Sequence, residues 1–112
     1  MNAVGKKMAF TEDKDLLDLI DAAVHDQDRA TELIKRQPDL LKRRNKLEET
    51  ALHFLTVENY AAGVGFLCKN GADVDTVDFS GATPLLHAAA LGYDEVSRIL
   101  LAHGANPNAT DG

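Results

Sequence analysis

Apolar residues recur with helical spacing in pairs of short segments along most of the chain. Near the carboxyl end, Val96, Ile99 and Leu100 are spaced to share one face of a helix. A shorter apolar segment, "PLLHAAAL", precedes them, and Gly92 separates the two. The same order of segments occurs twice upstream. The pattern predicts six helices, with ends uncertain by about 2–4 residues, near 15–25, 28–36, 50–58, 61–69, 84–91 and 94–102.

Residues that favour helix ends lie at the borders of these segments. Thr83 is suited to cap the helix that follows it, and Pro84 occupies a first position where its missing N–H costs nothing. Asp94 and Glu95 are placed at the positive end of the next helix dipole. An extended segment, "ANPNATD", follows that helix. The predicted unit is a helix, a tight turn, a second helix and an extended finger.

The unit repeats with a fixed period. Residues 50–78, "TALHFLTVENYAAGVGFLCKNGADVDTVD", align without a gap on residues 83–111, "TPLLHAAALGYDEVSRILLAHGANPNATD", an offset of 33 positions (83 − 50). A weaker copy, "LDLIDAAVHDQDRATELIKRQPDLLKRRN", lies one period upstream. The turn residues Asp26, Asn59 and Gly92 keep step, and all three types tolerate a left-handed backbone at a helix end. Self-similarity of this kind indicates a stack of repeats.

The sequence resembles an array of ankyrin repeats, which are 33 residues long and carry a T-P-L-H-x-A signature. The third copy is a close match, and the second keeps "TALHFL" and "LCKNGADVD". The resemblance covers about residues 15–111 and implies an all-α solenoid of stacked helix-turn-helix units with β-hairpin-like fingers. It divides the chain into an N-terminal tail, 1–13, and a repeat domain, 14–112, with repeats at about 14–45, 46–78 and 79–111.

The resemblance also predicts roles for two histidines. The motif histidine of ankyrin repeats pairs with the motif threonine, and Thr50 and His53 keep that arrangement. In the third copy Leu86 stands at the motif position and His87 follows it. One residue on a helix is a rotation of about 100°. His87 is therefore predicted to point away from the structural position, towards the inner helix surface.

Composition narrows the classes of function. The chain has 112 residues, a formal net charge of −6 and one cysteine. An acidic chain is a poor candidate for nucleic acid or an anionic membrane, because both are bound by basic surfaces. One cysteine excludes an internal disulfide and fits a reducing compartment. The expected location is intracellular, in the cytoplasm, with the nucleus possible because "KRRNK" at 42–46 is basic.

Motifs for catalysis, cofactors or metals are not found in the sequence. The four histidines and Cys68 have no metal-binding spacing such as HxxxH or CxxC. "GVG" at 63–65 lacks the third glycine of a dinucleotide loop, and "DVDTVD" at 73–78 lacks the glycine and glutamate of a calcium loop. Cys68 is predicted to be packed rather than reactive. We therefore expect no cofactor, no metal ligand and no enzyme within the chain.

Ankyrin domains characteristically bind proteins through finger tips and the concave face of the first helices. The resemblance therefore implies a protein-binding module whose partner is another protein. The residues predicted to contact it are Arg43, Arg44, Lys46, Val57, Glu58, Val77, Phe79, His87, Ala90 and Leu91. The basic residues are expected to set the association rate, and the apolar groove the dissociation rate.

Two alternative functions stay open. The chain is a candidate regulatory or targeting segment of a larger enzyme. It is also a candidate substrate of an asparaginyl hydroxylase, because Asn108 matches the finger asparagine that such enzymes modify in some ankyrin proteins.

The third copy has few charges after Glu95, although the end repeat of a solenoid needs a polar outer face. We expect Leu86, Ala89, Ala90 and Leu100 to include residues that need a cover. Further repeats, another domain and a second copy of the chain are the alternatives for that cover.

Overall fold

Six α-helices form the part of the chain that the structure, a computed structural model, describes, residues 10–108. The helices are α1 (Lys14–His25), α2 (Gln27–Arg36), α3 (Ala51–Val57), α4 (Ala61–Lys69), α5 (Pro84–Leu91) and α6 (Asp94–Ala102). A 3-10 helix, Pro38–Leu41, follows α2 and was not predicted. Within residues 10–108 no strand is present. The all-α prediction is confirmed, and each predicted helix end lies within one residue of the observed end.

The helices pack as three pairs that stack on one another. Within each pair, α1 with α2, α3 with α4 and α5 with α6, a tight turn joins the two helices. The stack continues because α3 packs against α5 and α4 against α6, while α1 packs against both helices of the second pair. Each first helix therefore lies beside the first helix of the next repeat, which is the arrangement of a solenoid.

Leucine and alanine fill the core, as expected for a chain with no Trp and 5% aromatic residues. The largest fully buried side chains include Leu16, Leu19, Leu52, Leu67 and Leu100. They come from all three repeats, so the stack has one continuous core rather than three separate ones.

The helix ends follow local chemistry. The Thr50 side chain accepts from the backbone N–H of His53, whose ring accepts from the N–H of Thr50. Asn59 and Gly92 have left-handed backbones, with φ of 62° and 74°. Asp26 does not: its φ is −156°, and its side chain caps α2 by accepting from the N–H of Arg29. The left-handed turn expected there is wrong, because Asp26 ends α1 and begins α2 at once.

The fingers are hairpin-like turns closed by backbone hydrogen bonds. In the first finger the N–H of Asn45 donates to the carbonyl of Glu49 at 2.9 Å, and in the second Asp78 donates to Ala82 at 3.1 Å. Each finger extends from the end of one repeat to the capping threonine of the next, Thr50 or Thr83. The finger tips therefore project beside the first helices.

Candidate functional site

Exposed apolar side chains are concentrated at the tips of the first two fingers. Leu47 is 49% exposed, Val77 is 46% exposed and Phe79 is 71% exposed. We call Leu47, Val77 and Phe79 the fingertip patch. Contiguous exposed apolar side chains, aromatic ones above all, are frequent at protein interaction sites.

Two sets of hydrogen bonds join the fingers that carry the patch. The backbone N–H of Phe79 donates to the carbonyl of Leu47 at 3.0 Å. Arg44 in the first finger donates to the carbonyl of Val77 at 2.7 Å and to the Thr76 hydroxyl at 2.6 Å. Thr76 is buried, and a guanidinium supplies several donors in a fixed geometry. The patch is therefore presented by a pair of fingers with a defined spacing.

Arg43 connects the first finger to the beginning of α1. Its guanidinium donates to Asp39 at 2.7 Å, to Asp13 at 3.1 Å and to Gln37 at 2.7 Å. Asp13 is also the cap of α1, accepting from two backbone amides. The side chain of Arg43, like that of Arg44, is thus engaged within the chain.

Lys46 differs from the two arginines. It is exposed, and within residues 10–108 it has no hydrogen bond or ion pair. Of the three basic residues predicted to meet a partner, Lys46 is the one whose side chain is not engaged with another described residue.

The inner face of the first helices contains a cleft between α1 and α3. It is small, with a volume of about 20 Å³, and is lined by Ile20, Asp21, Val24, His25, Phe54, Glu58 and Tyr60. The ring of Phe10 stacks edge-on against Phe54, with ring centres 5.0 Å apart. Further along the same face Val57 is half-buried, while Ala90 and Leu91 are exposed. The floor is apolar, and carboxylates lie among the lining residues.

His87 follows the motif position, which Leu86 holds, and its ring packs against His53 of the second repeat, a contact that was not predicted. The two rings meet edge-to-face, with centres 5.9 Å apart, and His87 Nε2 lies 2.9 Å from Asp78 Oδ2. Because His87 is one residue further along the helix, it is rotated by about 100° from the motif position. However, the second finger brings Asp78 to the side that His87 faces, and the carboxylate holds the ring there. The side chain of His87 remains 29% exposed.

The surroundings of His53 and Asp78 shift the pKa of each side chain. His53 is fully buried, with Nδ1 against Thr50 and Nε2 3.1 Å from the carbonyl of Ala82. Burial lowers the pKa of His53, because a charged ring would be poorly solvated there. Burial alone would raise the pKa of Asp78. Hydrogen bonds from Ser80, His87 and two backbone amides outweigh it and hold that pKa far below its usual range.

Reasoning from the sequence missed two features of this surface. Leu47 was overlooked because it lies in a basic loop, although a leucine between Lys46 and Glu48 in a predicted finger was a signal of exposure. The contact between Asp78 and His87 was missed because the search for metal ligands considered only short spacings along the chain. Only the fold brings these residues together.

Asn108 and Cys68, both considered in the sequence analysis, differ in exposure. Asn108 is exposed, and its backbone N–H donates to the side chain of Asn106 at 2.9 Å; its modification stays a prediction. Cys68 is 8% exposed, and burial raises the pKa of its thiol to about 11. A thiol in that state is a poor nucleophile, as expected of a packed cysteine.

The outer face of the third repeat is only partly apolar. Ala89 and Ala90 are exposed, and Leu86 is half-buried. Leu100 is fully buried in the core and is therefore not among the residues of this set that need a cover. The exposed leucine of α6 is its neighbour Leu101, at 44%. What covers this face stays open.

Among the helices of residues 10–108, none combines the length and the apolar character needed to cross a membrane.

Comparison with known proteins identifies the family. A family model described as ankyrin repeats (3 copies) matches residues 19–111. The chain is similar to the B-cell lymphoma 3 protein homolog of Mus musculus, with 41% identity over 70 residues, 62% of this chain and 16% of that protein. It is also similar to the nuclear factor NF-kappa-B p105 subunit of Gallus gallus, with 35% identity over 77 residues, 68% of this chain and 8% of that protein. A third relative is the E3 ubiquitin-protein ligase XBAT33 of Arabidopsis thaliana, with 37% identity over 60 residues, 54% of this chain and 12% of that protein.

The matched segment spans less than a fifth of each of these relatives, so the likeness concerns their repeats. Ankyrin repeats are in general non-catalytic modules that bind other proteins. The fold, the 33-residue period and the family match agree: the chain belongs to the ankyrin repeat family.

Proposed function

We propose that this chain is a non-catalytic module that binds another protein through the fingertip patch and the inner faces of α3 and α5. The observation that carries the proposal is the exposure of Phe79, at 71%, beside Val77 and Leu47 on two joined fingers. Aromatic anchors surrounded by smaller apolar contacts are typical of the residues that dominate binding energy at protein interfaces.

The free energy gained by burying Phe79 in an interface supports a binding role. Transferring a Phe-sized side chain from water into an interface contributes about 1.5–3 kcal/mol. Arg44 and the bond from Phe79 to Leu47 already fix the fingers. Less conformational entropy is therefore lost on binding than for a flexible loop. A fixed apolar patch is thus suited to set the dissociation rate of a complex.

The charges suggest how a partner approaches. Lys46 is exposed next to Leu47, and the inner cleft contains Asp21 and Glu58 among its lining residues. Exposed charges at the rim of an interface change association rates more than they change affinity. Because Arg43 and Arg44 are engaged within the chain, the proposal assigns this steering to Lys46. Arg43 and Arg44 would then support the surface rather than meet the partner.

A second candidate is that the module is the targeting segment of a larger enzyme. It is favoured by the likeness to a relative whose name is that of an E3 ubiquitin-protein ligase, of which the chain matches 12%. On this reading the partner is the substrate, and the chemistry lies elsewhere on the polypeptide. The fingertip patch has the same role in both readings.

The proposal includes the absence of catalysis within the chain and an intracellular location, in the cytoplasm or the nucleus. The buried thiol of Cys68 supports a reducing compartment, since the chain has one cysteine and no partner for it. The net charge of −6 supports a protein partner over nucleic acid or an anionic membrane.

The test is affinity capture with the intact chain and three variants. Val77→Ser and its matched control Leu101→Ser remove apolar side chains of similar exposure, 46% and 44%, from the second finger and from α6. Phe79→Ser removes the most exposed side chain of the fingertip patch. A protein captured by the intact chain and by Leu101→Ser, and lost with Val77→Ser or Phe79→Ser, supports the proposal. Equal capture by all variants contradicts it.

A further inference from the structure

Three side chains of metal-binding types meet where the second and third repeats join. Ligand atoms of His53, Asp78 and His87 all lie within 4.8 Å of one another, and His87 Nε2 is 2.9 Å from Asp78 Oδ2. Two imidazoles and one carboxylate suit Zn²⁺ and related divalent transition metals, whereas Mg²⁺ and Ca²⁺ prefer oxygen ligands. We propose that His53, Asp78 and His87 form a binding site for a divalent transition metal ion.

The carboxylate of Asp78 is already oriented for this role. Its Oδ1 accepts from the backbone N–H and hydroxyl of Ser80 and from the N–H of Ala82, at 2.7–3.0 Å. These bonds hold the side chain in place and leave Oδ2 directed at His87. Hydrogen bonds on the second oxygen of a ligating carboxylate are a common support of metal sites.

His53 can serve as a ligand at a defined cost. Its Nε2 lies 3.1 Å from the carbonyl of Ala82, and its Nδ1 lies 3.2 Å from the hydroxyl of Thr50. Nδ1 now accepts from the backbone N–H of Thr50, so metal binding requires the ring proton to move from Nε2 to Nδ1. Nδ1 then donates to the Thr50 hydroxyl, as second-shell partners do in other metal sites, and the bond from the Thr50 N–H is lost. Nε2 then binds the ion, and the carbonyl of Ala82 loses the His53 ring as a donor but keeps the N–H of Asp78.

His87 provides both the third ligand and the route of entry. Its side chain is 29% exposed, whereas Asp78 is 5% exposed and His53 is buried. Metal–ligand bonds of about 2.0–2.2 Å require the three atoms to approach to roughly 3–3.5 Å of one another. The partly exposed ring of His87 is the member with space to make that movement. One period upstream the same position holds Phe54, so the first two repeats cannot form an equivalent site.

The experiment is a calorimetric titration of the chelator-treated intact chain with Zn²⁺, together with His87→Ala and the matched control His103→Ala. His103 is an exposed histidine of the same repeat, at the end of α6, and among residues 10–108 it belongs to no such cluster. We expect one Zn²⁺ per chain, unchanged affinity in His103→Ala and at least about tenfold weaker binding in His87→Ala. Excess Mg²⁺ should not compete.

A second measurement keeps the proposal testable if a variant is unstable. In the intact chain, Zn²⁺ should shift the ring proton signals of His53 and His87 in NMR spectra and leave those of His25 and His103 in place. Equal Zn²⁺ affinity of the intact chain and a folded His87→Ala variant would overturn the proposal. So would no binding at millimolar Zn²⁺, or shifts confined to His25 and His103.

Discussion

Arg44 of the first finger donates to the carbonyl oxygen of Val77 in the second finger at 2.7 Å, and the same guanidinium reaches Thr76 at 2.6 Å. The contact joins residues 33 positions apart, which is one repeat (77 − 44). A residue predicted to meet a partner therefore connects two fingers of its own chain. The spacing of the fingertip patch depends on it.

Replacing Arg44 by alanine should lower the free energy of unfolding by roughly 1 kcal/mol. The change removes hydrogen bonds from a charged donor, and the loss is limited because the side chain is about a third exposed. Urea unfolding measures the effect. Arg36→Ala is the control: the side chain of Arg36 is exposed and has no hydrogen bond or ion pair within residues 10–108. Equal stability of the two variants would show that Arg44 does not support the fingers.

Most of the helical architecture could be predicted because its signals are local. Thr83, Pro84 and Gly92 mark helix ends by their own conformational preferences. The remaining ends follow by analogy from the 33-residue period.

The candidate site could be predicted only in part. Exposure of Phe79 follows from its place in a finger, but the partners of Arg44 do not, because contacts between fingers depend on how the repeats stack.

Gly63 and Gly65 allow a matched test of helix packing in α4. A methyl group added at Gly65 would meet only Ile99, at 3.9 Å, so Gly65→Ala should raise the free energy of unfolding by up to about 1 kcal/mol through helix propensity. At Gly63 the added carbon would lie 3.0 Å from the buried Leu55 side chain. Gly63→Ala should therefore be at least about 1 kcal/mol less stable than Gly65→Ala.

Equilibrium denaturation of both glycine variants decides between packing and propensity. Equal gains in stability would mean that the core around Leu55 adjusts freely, and that Gly63 is not needed for close approach of the helices.

Removal of the Thr56 hydroxyl should increase the stability of the folded chain. The residue is fully buried, and its Oγ1 has no hydrogen-bond partner within the described structure. Thr56→Val keeps the shape and removes an unsatisfied polar group, so the free energy of unfolding should rise by about 1 kcal/mol. Thr76→Val makes the same chemical change where the hydroxyl accepts from Arg44, and it should lower stability. Thermal unfolding of the two variants should therefore show shifts of opposite sign; shifts of the same sign contradict the assignment.

Cys68 should react slowly in the folded chain. Burial raises the pKa of its thiol from 9.0 to about 11, and the thiolate is the reactive form. At pH 8 the thiolate fraction is then roughly a hundredfold smaller than in the unfolded chain, and access is restricted as well. Alkylation by iodoacetamide, with and without urea, measures the ratio. Similar rates in both conditions would mean that α4 opens readily or that the thiol is not packed.

Photo-cross-linking from position 79 tests whether the fingertip patch contacts a partner protein. A photoreactive amino acid replaces Phe79 at the finger tip in one version of the chain, and Leu101 on the outer face of the third repeat in another. If the fingertip patch binds the partner, position 79 forms a covalent adduct with a protein captured by the intact chain. An excess of unlabelled intact chain should then abolish the adduct. Adducts of that protein with position 101 and none with position 79 would contradict the account.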